Sequence, residues 1–347
     1  MNVHTPLALS LRRVLAAMVV SCLAFVASGV VASSAGAVQP QVDIAGEPNT
    51  YLTAKISSDG SVQAQKFSCK PTCIPSDWVN LGGYVTSLKV HFWQNSYYIV
   101  GRGGDGFVWY RSATCTPDSC NFSSWIRTGG SGYDIQIVDP PDLSGCPQVA
   151  VIGNDGAVWV ASICPAFAGG WVSLGGRVVD IDYTGSTVYG VDSTYRLWRQ
   201  ARGANGRFGN WSNLGGYVRW PVEMAASAPY RVAVVGGDSN VWIFTEGIGW
   251  AKMANGENIG YMSRRSQGAG ELMIITTDLT GKRCSKNLGA NSLFCYTYPS
   301  AITSGAAWGG AEGRIAVGIY FDGNVLFQRG EEDDPGFTYG YLCRVCA

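Results

Sequence analysis

Gly104-Asp105-Gly106-Phe107-Val108-Trp109 and Asn154-Asp155-Gly156-Ala157-Val158-Trp159 are two copies of one phrase. Each sets a polar turn centred on Asp-Gly between a β-branched run and a short strand ending on tryptophan. The phrase returns as Ile56-Ser57-Ser58-Asp59-Gly60-Ser61-Val62, as Gly237-Asp238-Ser239-Asn240-Val241-Trp242 and as Tyr320-Phe321-Asp322-Gly323-Asn324-Val325-Leu326. Two copies are degenerate: Val191-Asp192-Ser193-Thr194-Tyr195-Arg196-Leu197-Trp198, and Thr277-Asp278-Leu279-Thr280-Gly281. The anchoring aspartates Asp59, Asp105, Asp155, Asp192, Asp238, Asp278 and Asp322 are spaced by 37 to 50 residues. Asp-Gly readily takes the positive φ that tight hairpins need, and a recurring unit of this length marks a repeat architecture.

A second phrase alternates with the first. Trp78-Val79-Asn80-Leu81-Gly82-Gly83 returns as Trp171-Val172-Ser173-Leu174-Gly175-Gly176 and as Trp211-Ser212-Asn213-Leu214-Gly215-Gly216. Weaker copies run over 125–130 and 250–256, and Trp308-Gly309-Gly310 reads as a remnant. Each unit is then a strand, an Asp-Gly turn, a Trp-ended strand, a variable loop and a further strand. A small sheet of three or four strands cannot bury its own faces, so such sheets must stack on neighbours. Repeats of this size packed around an axis are propeller blades, which leave few exposed edges. The expectation is an all-β, seven-bladed β-propeller with three to four antiparallel strands per blade. Six or eight blades stay open because the repeat around Asp278 is eroded.

Composition agrees. Charged residues are only 14% of the chain, against 46 glycines and 12 tryptophans, a balance that favours strands and turns over helices. Basic and acidic residues number 25 each, so no electrostatic case exists for nucleic acid or an anionic membrane. Arg12 and Arg13 precede an apolar stretch from Val14 to Val31, followed by Ala35-Gly36-Ala37. That order reads as a signal peptide over residues 1–37, leaving 38–347 as a single propeller domain with a C-terminal tail in a secreted, extracellular protein. An uncleaved anchor and a lipobox ending at Cys22 are the alternatives.

Ten of the 11 cysteines follow Ala37 and fall into close pairs: Cys69/Cys73, Cys115/Cys120, Cys146/Cys164, Cys284/Cys295 and Cys343/Cys346. In an exported chain, an even set reads as disulfides. Cys146 and Cys164 lie symmetrically about Asp155, and Cys284 and Cys295 about Leu288-Gly289-Ala290-Asn291, as hairpin-bridging pairs would. The other reading, a metal site, needs ligands converging from separate loops. Cys343-Arg344-Val345-Cys346 lacks a thioredoxin-like context and reads as a terminal clamp. Glu331-Glu332-Asp333-Asp334 reads as a solvated loop more readily than a calcium site.

The pattern Gly-x-Asp-Gly-x-Val-Trp followed by Trp-x-x-Leu-Gly-Gly resembles the bacterial fucose-binding propeller lectins typified by the Photorhabdus lectin, and more loosely tectonin repeats. The resemblance spans about Asp43 to Gly330. It implies a seven-bladed propeller with shallow sugar sites between adjacent blades, glycans (fucosylated ones among them) as partners, and no catalysis. The disulfides and the eroded repeat depart from the family pattern, which leaves the number of sites and the fucose preference open. The WD40 signature fails because His91 is the single histidine after residue 37.

Two sets of tryptophans divide the candidate roles. Trp109, Trp159, Trp198 and Trp242 end corresponding strands and read as packing between blades. Trp78, Trp125, Trp171, Trp211 and Trp250 precede loops and are the candidate carbohydrate contacts, with Asn80, Ser173 and Asn213 as polar partners for ring hydroxyls. These three also suit turn positions. No cofactor or metal is implied. Whether the chain is an enzyme stays open, with non-enzyme favoured: a glycoside hydrolase needs two facing carboxylates, and Asp139, Asp142, Asp180, Asp182, Glu223 and Glu312 are scattered without a motif. A propeller scaffold that binds a protein is the remaining reading.

Overall fold

The computed structural model describes residues 41–47, 50–69, 73–116, 118–138, 145–163, 170–183, 186–219, 224–228 and 231–253, and seven further strands between 259 and 330. Among these residues there are no helices, and every strand pairing is antiparallel. The strands form seven sheets, two of five strands, four of four and one of three. Residues 1–37, both halves of the predicted Cys343/Cys346 pair and the acidic run 331–334 lie outside the described residues.

The third sheet shows why these segments become strands. Gln148–Ile152 and Val158–Ser162 are β-branched runs on either side of the Asp155 turn, paired from Gln148↔Ser162 to Ile152↔Val158. The register is centred on Asp155, as the cysteine symmetry requires. Asp59, Asp105, Asp192 and Asp238 occupy the same place between the second and third strands of their sheets. Asp278 and Asp322 lie outside the described residues, between strands Glu271–Thr276 and Thr280–Lys286, and between Gly313–Ile319 and Val325–Gly330.

The sheets meet through their first strands: Val42–Glu47, Val85–Trp93, Asp134–Val138, Asp180–Tyr183, Met224–Ala228, Ile259–Arg264 and Ser304–Gly310. Each lies against the next in this order, and Ser304–Gly310 lies against Val42–Glu47. Side chains tie these strands to a neighbour's backbone. Val90 N–H donates to Asp43 (2.7 Å), Leu88 N–H to Gln41 (2.9 Å) and Ile181 N–H to Asp134 (2.9 Å). Burial raises the Asp134 carboxyl above its ordinary range, against the opposing pull of Lys89 and the Ile181 N–H.

The core is distributed between consecutive sheets. Leu52, Ile56 and Val62 of the first sheet pack with Leu88, Val90 and Ile99 of the second; Ile152 and Val158 of the third pack with Ile181, Tyr183 and Val188 of the fourth. Burying one sheet therefore depends on its neighbour, which is the physical basis of the repeat.

Two expectations change. Trp308 is no remnant of the Trp-x-x-Leu-Gly-Gly phrase: it lies in a first strand, opposite Ile315. The disulfide framework is also seen only in part. Cys115 and Cys120 form a disulfide across a tight hairpin with Cα atoms 4.0 Å apart. Cys146 is disulfide-bonded, while Cys164 lies outside the described residues. Cys69 stands opposite Cys73, and Cys284 opposite Cys295, in backbone register.

Candidate functional site

The two tryptophan sets do different jobs at the junctions between sheets. In four of the aspartate-centred turns, the carboxylate first accepts a backbone N–H two residues on: Ser61 to Asp59 (2.9 Å), Phe107 to Asp105 (3.1 Å), Ala157 to Asp155 (3.0 Å) and Asn240 to Asp238 (3.1 Å). It then accepts the indole N–H of the tryptophan that follows the turn: Trp109 to Asp105 (3.3 Å), Trp159 to Asp155 (3.3 Å), Trp198 to Asp192 (2.7 Å) and Trp242 to Asp238 (3.0 Å). The structure places this tryptophan in the second or third position of the next strand and not at a strand's end, because the strand runs on past it. These rings are thus held at the turn end of each sheet, half-buried. Burial raises the Asp238 carboxyl, but Trp242, Lys252 and the Asn240 N–H outweigh it and hold it below the ordinary value.

The Trp-x-x-Leu-Gly-Gly phrase builds a link to the next sheet. In the first, third and fourth sheets the ladder slips at the leucine: Val62↔Gly82 gives way to Gln63↔Asn80, Val158↔Gly175 to Trp159↔Ser173, and Leu197↔Gly215 to Trp198↔Asn213. Leu81, Leu174 and Leu214 are the extra residues of these bulges, which leaves their carbonyls outside the ladder. Each accepts the indole N–H of the following sheet: Trp125 on Leu81 (3.1 Å), Trp211 on Leu174 (3.0 Å) and Trp250 on Leu214 (2.9 Å). Trp171 does the same on Thr128, the residue at the leucine position of the second sheet (3.2 Å). The second glycine makes room for that ring; a β-carbon on Gly216 would stand 2.7 Å from Trp250.

Asn80, Ser173 and Asn213 are exposed, and each accepts the N–H of the first glycine of the pair, at 2.8, 3.2 and 2.6 Å. Trp78 stands apart, with Lys55 Nζ 4.4 Å above its ring. The structure therefore does not gather each loop tryptophan with its own Asn or Ser. It brings the loop tryptophan of one sheet beside the turn-bound tryptophan of the same sheet and the Gly-Gly of the sheet before it.

Between the first and second sheets this arrangement opens a cleft of about 420 Å³, lined by Gly83, Tyr84, Val85, Gly103, Gly104, Asp105, Trp109 and Trp125. Tyr84, 48% exposed, lies over Gly104. The fourth–fifth junction repeats the set with Tyr217, 54% exposed over Gly237, together with Trp242, Asp238 and Trp250. At the second–third junction Ser131 follows Gly-Gly in place of a tyrosine, and at the third–fourth Arg177 does; Tyr133, two residues beyond Ser131, donates its hydroxyl to the Val178 carbonyl (3.0 Å). The reading from sequence missed Tyr84 and Tyr217 and left Trp109 to packing. The signal was there, an aromatic directly after Gly-Gly, but only the next sheet's turn makes it part of a cleft.

Of the scattered acids, Asp182 is buried and accepts the Tyr183 N–H (2.8 Å), while Asp139, Asp142, Glu223 and Glu312 lie outside the described residues. His91 is buried in the strand Val85–Trp93, opposite Tyr98.

No protein-family model matches the chain, and no curated protein matches it by sequence. Solved structures do. Human WBSCR16 aligns with a TM-score of 0.51 at 11% identity, covering 76% of this chain and 84% of that one. Prp20p from Saccharomyces cerevisiae aligns at 0.51 and 10% identity, covering 77% and 80%. Hsv2 from Kluyvelomyces marxianus aligns at 0.50 and 9% identity, covering 86% and 94%. All three are β-propeller-like, and at this identity the likeness is one of fold alone.

Proposed function

We propose that the protein is a secreted lectin: a seven-bladed β-propeller, closed where Ser304–Gly310 meets Val42–Glu47, that binds glycans in shallow sites between blades. The observation that carries this reading is the cleft where Tyr84, Trp109 and Trp125 converge around Asp105. Small-ligand sites combine apolar or aromatic walls with a few placed polar groups. Here the aromatic faces suit the C–H face of a pyranose ring, and the Asp105 carboxylate is a hydroxyl acceptor at the edge. Both indole N–H groups are already engaged by Asp105 and Leu81, so the rings serve as walls and not as donors. Tyr217, Trp242 and Trp250 supply a second such site, and weak sites of this kind gain avidity on a surface that engages several at once.

A glycan array that includes fucosylated glycans tests the proposal. The intact protein is expected to retain a defined glycan set, and Tyr84→Ala with Tyr217→Ala is expected to abolish retention while leaving the fold intact by circular dichroism. Absence of any retained glycan, with turnover of a chromogenic glycoside, would replace the lectin with a hydrolase.

A further inference from the structure

The two aromatic clefts share their rings but differ in charge. Opposite the turn-bound tryptophan, on the strand next to it, stands Arg127 in the second sheet (Arg127↔Trp109) and Lys252 in the fifth (Trp242↔Lys252). Lys252 reaches back to the turn and pairs with Asp238 Oδ2 at 3.1 Å. Arg127 instead holds its guanidinium 3.5 Å from the centre of the Phe107 ring, a stack that suits its planar charge. Phe107 and Asn240 occupy the same place, two residues after the aspartate. The ring of Phe107 therefore draws away the cation that the fifth sheet gives to its aspartate.

Asp105 is exposed and makes no ion pair among the described residues. Its Oδ1 accepts the Phe107 N–H (3.1 Å) and the Trp109 indole (3.3 Å), while Oδ2 has only a 3.4 Å share of that same indole. Arg102, near the turn at Gly106, donates to the Thr86 hydroxyl (2.8 Å) and the Gly132 carbonyl instead. The walls favour the same kind of ligand. With their N–H edges engaged, Trp109 and Trp125 offer their faces, and an aromatic face is the negative part of the ring's quadrupole. Tyr84 adds a third ring. Asp155 also makes no ion pair among the described residues, but Ser131 stands at its junction where Tyr84 stands here.

We infer that the cleft around Asp105 selects a protonated amino sugar, a hexosamine whose amine is free, over its N-acetylated and neutral counterparts. Such selection rests on the lectin reading of the cleft and gives that reading a ligand class. The ammonium would donate to Asp105 Oδ2 while the pyranose ring lies against the aromatic faces. N-acetylation removes the charge, and a hydroxyl in the amine's place donates one neutral hydrogen bond, so both leave the carboxylate without a counter-charge. The cleft around Asp238 carries its own cation, Lys252, and has no such preference.

Titrating the indole resonances of the intact protein with D-glucosamine, N-acetyl-D-glucosamine and D-glucose, at about pH 6 where the sugar amine is charged, tests the inference cleft by cleft. Glucosamine is expected to shift Trp109 and Trp125 saturably, with an affinity about tenfold above the other two sugars, and the margin is expected to shrink with salt. Trp242 and Trp250 are expected to respond alike to all three. Asp105→Asn keeps an acceptor for the Phe107 and Trp109 N–H groups while removing the charge, and is expected to close the margin. Lys252→Ala frees Asp238 and is expected to open the same margin at Trp242 and Trp250. Equal affinities at Trp109 and Trp125 overturn the inference and leave the lectin reading standing. A margin that survives Asp105→Asn overturns it too, as does Lys252→Ala without a gain at the fifth sheet. Indoles that neither these sugars nor any array glycan moves overturn the lectin reading, and the selection with it.

Discussion

The turn of the third sheet and the turn of the fourth hold the same tryptophan by different means. In the third, Gly153-Asn154-Asp155-Gly156 places the carboxylate four residues before Trp159, where it accepts two N–H groups. In the fourth, Asp192 stands six residues before Trp198, at the position of Gly153, and accepts the Thr194 N–H and hydroxyl, the Arg196 N–H and the Trp198 indole. The left-handed position is Gly156 at φ 77° in one and Tyr195 at φ 62° in the other. Backbone bonds close both turns alike: Gly153 N–H to Ala157 and Gly156 N–H to Gly153, Asp192 N–H to Arg196 and Tyr195 N–H to Asp192. The geometry is shared while the residues are not. A degenerate repeat can therefore keep its structure by moving the aspartate and adding hydrogen bonds that offset an unfavourable φ.

The largest effect should come from what joins these two regions. Trp211→Ala removes the ring that packs on Gly176 and the bond to Leu174, and is expected to cost about 3 kcal/mol, read as a lower midpoint in urea unfolding. A cost below about 1 kcal/mol would mean that the ring carries little of the contact between the sheets.

Next comes the contrast between the turns. Asp192→Ala is expected to cost about 2 kcal/mol and Asp155→Ala about 1 kcal/mol, following the number of bonds each carboxylate accepts in a partly exposed setting. The excess should depend on pH. Burial raises the Asp192 carboxyl, but Thr194, the Arg196 N–H and Trp198 outweigh it and leave it below the ordinary value. A depressed folded value stabilises the fold above the unfolded pKa of about 3.9 and is lost as pH falls through the folded one. Asp192→Ala should thus cost less at pH 3 than at pH 7; an equal cost at both would assign its role to something other than the ionised carboxylate.

The smallest effect isolates the backbone. A β-carbon at Gly156 meets nothing within 4 Å, so Gly156→Ala tests φ alone and is expected to cost about 1 kcal/mol. No measurable cost would show that the turn relaxes freely, and that Tyr195 needs no compensation.

The five turns among the described residues, the strand periods and the alternation of the two phrases were legible because they are local: the central aspartate and the flanking β-branched runs state their own geometry. The loop tryptophans were legible as repeated aromatics but not as links, since their partners are the Leu81, Leu174 and Leu214 carbonyls of another sheet, freed by bulges that no local pattern announces. Tyr84 was missed for the same reason. Its significance comes from Gly104, Trp109 and Trp125, which only stacking brings beside it. The Cys115–Cys120 bridge, five residues apart, was readable at once.

In the proposed sugar site, tryptophans pinned by Asp105 and Leu81 still offer their faces to a ligand. A ¹H–¹⁵N titration of the indole resonances with the strongest array glycan tests it most directly. Trp109 and Trp125 are expected to shift saturably while their N–H protons stay protected from solvent exchange. Saturable glycan binding that leaves both indoles unmoved would contradict it.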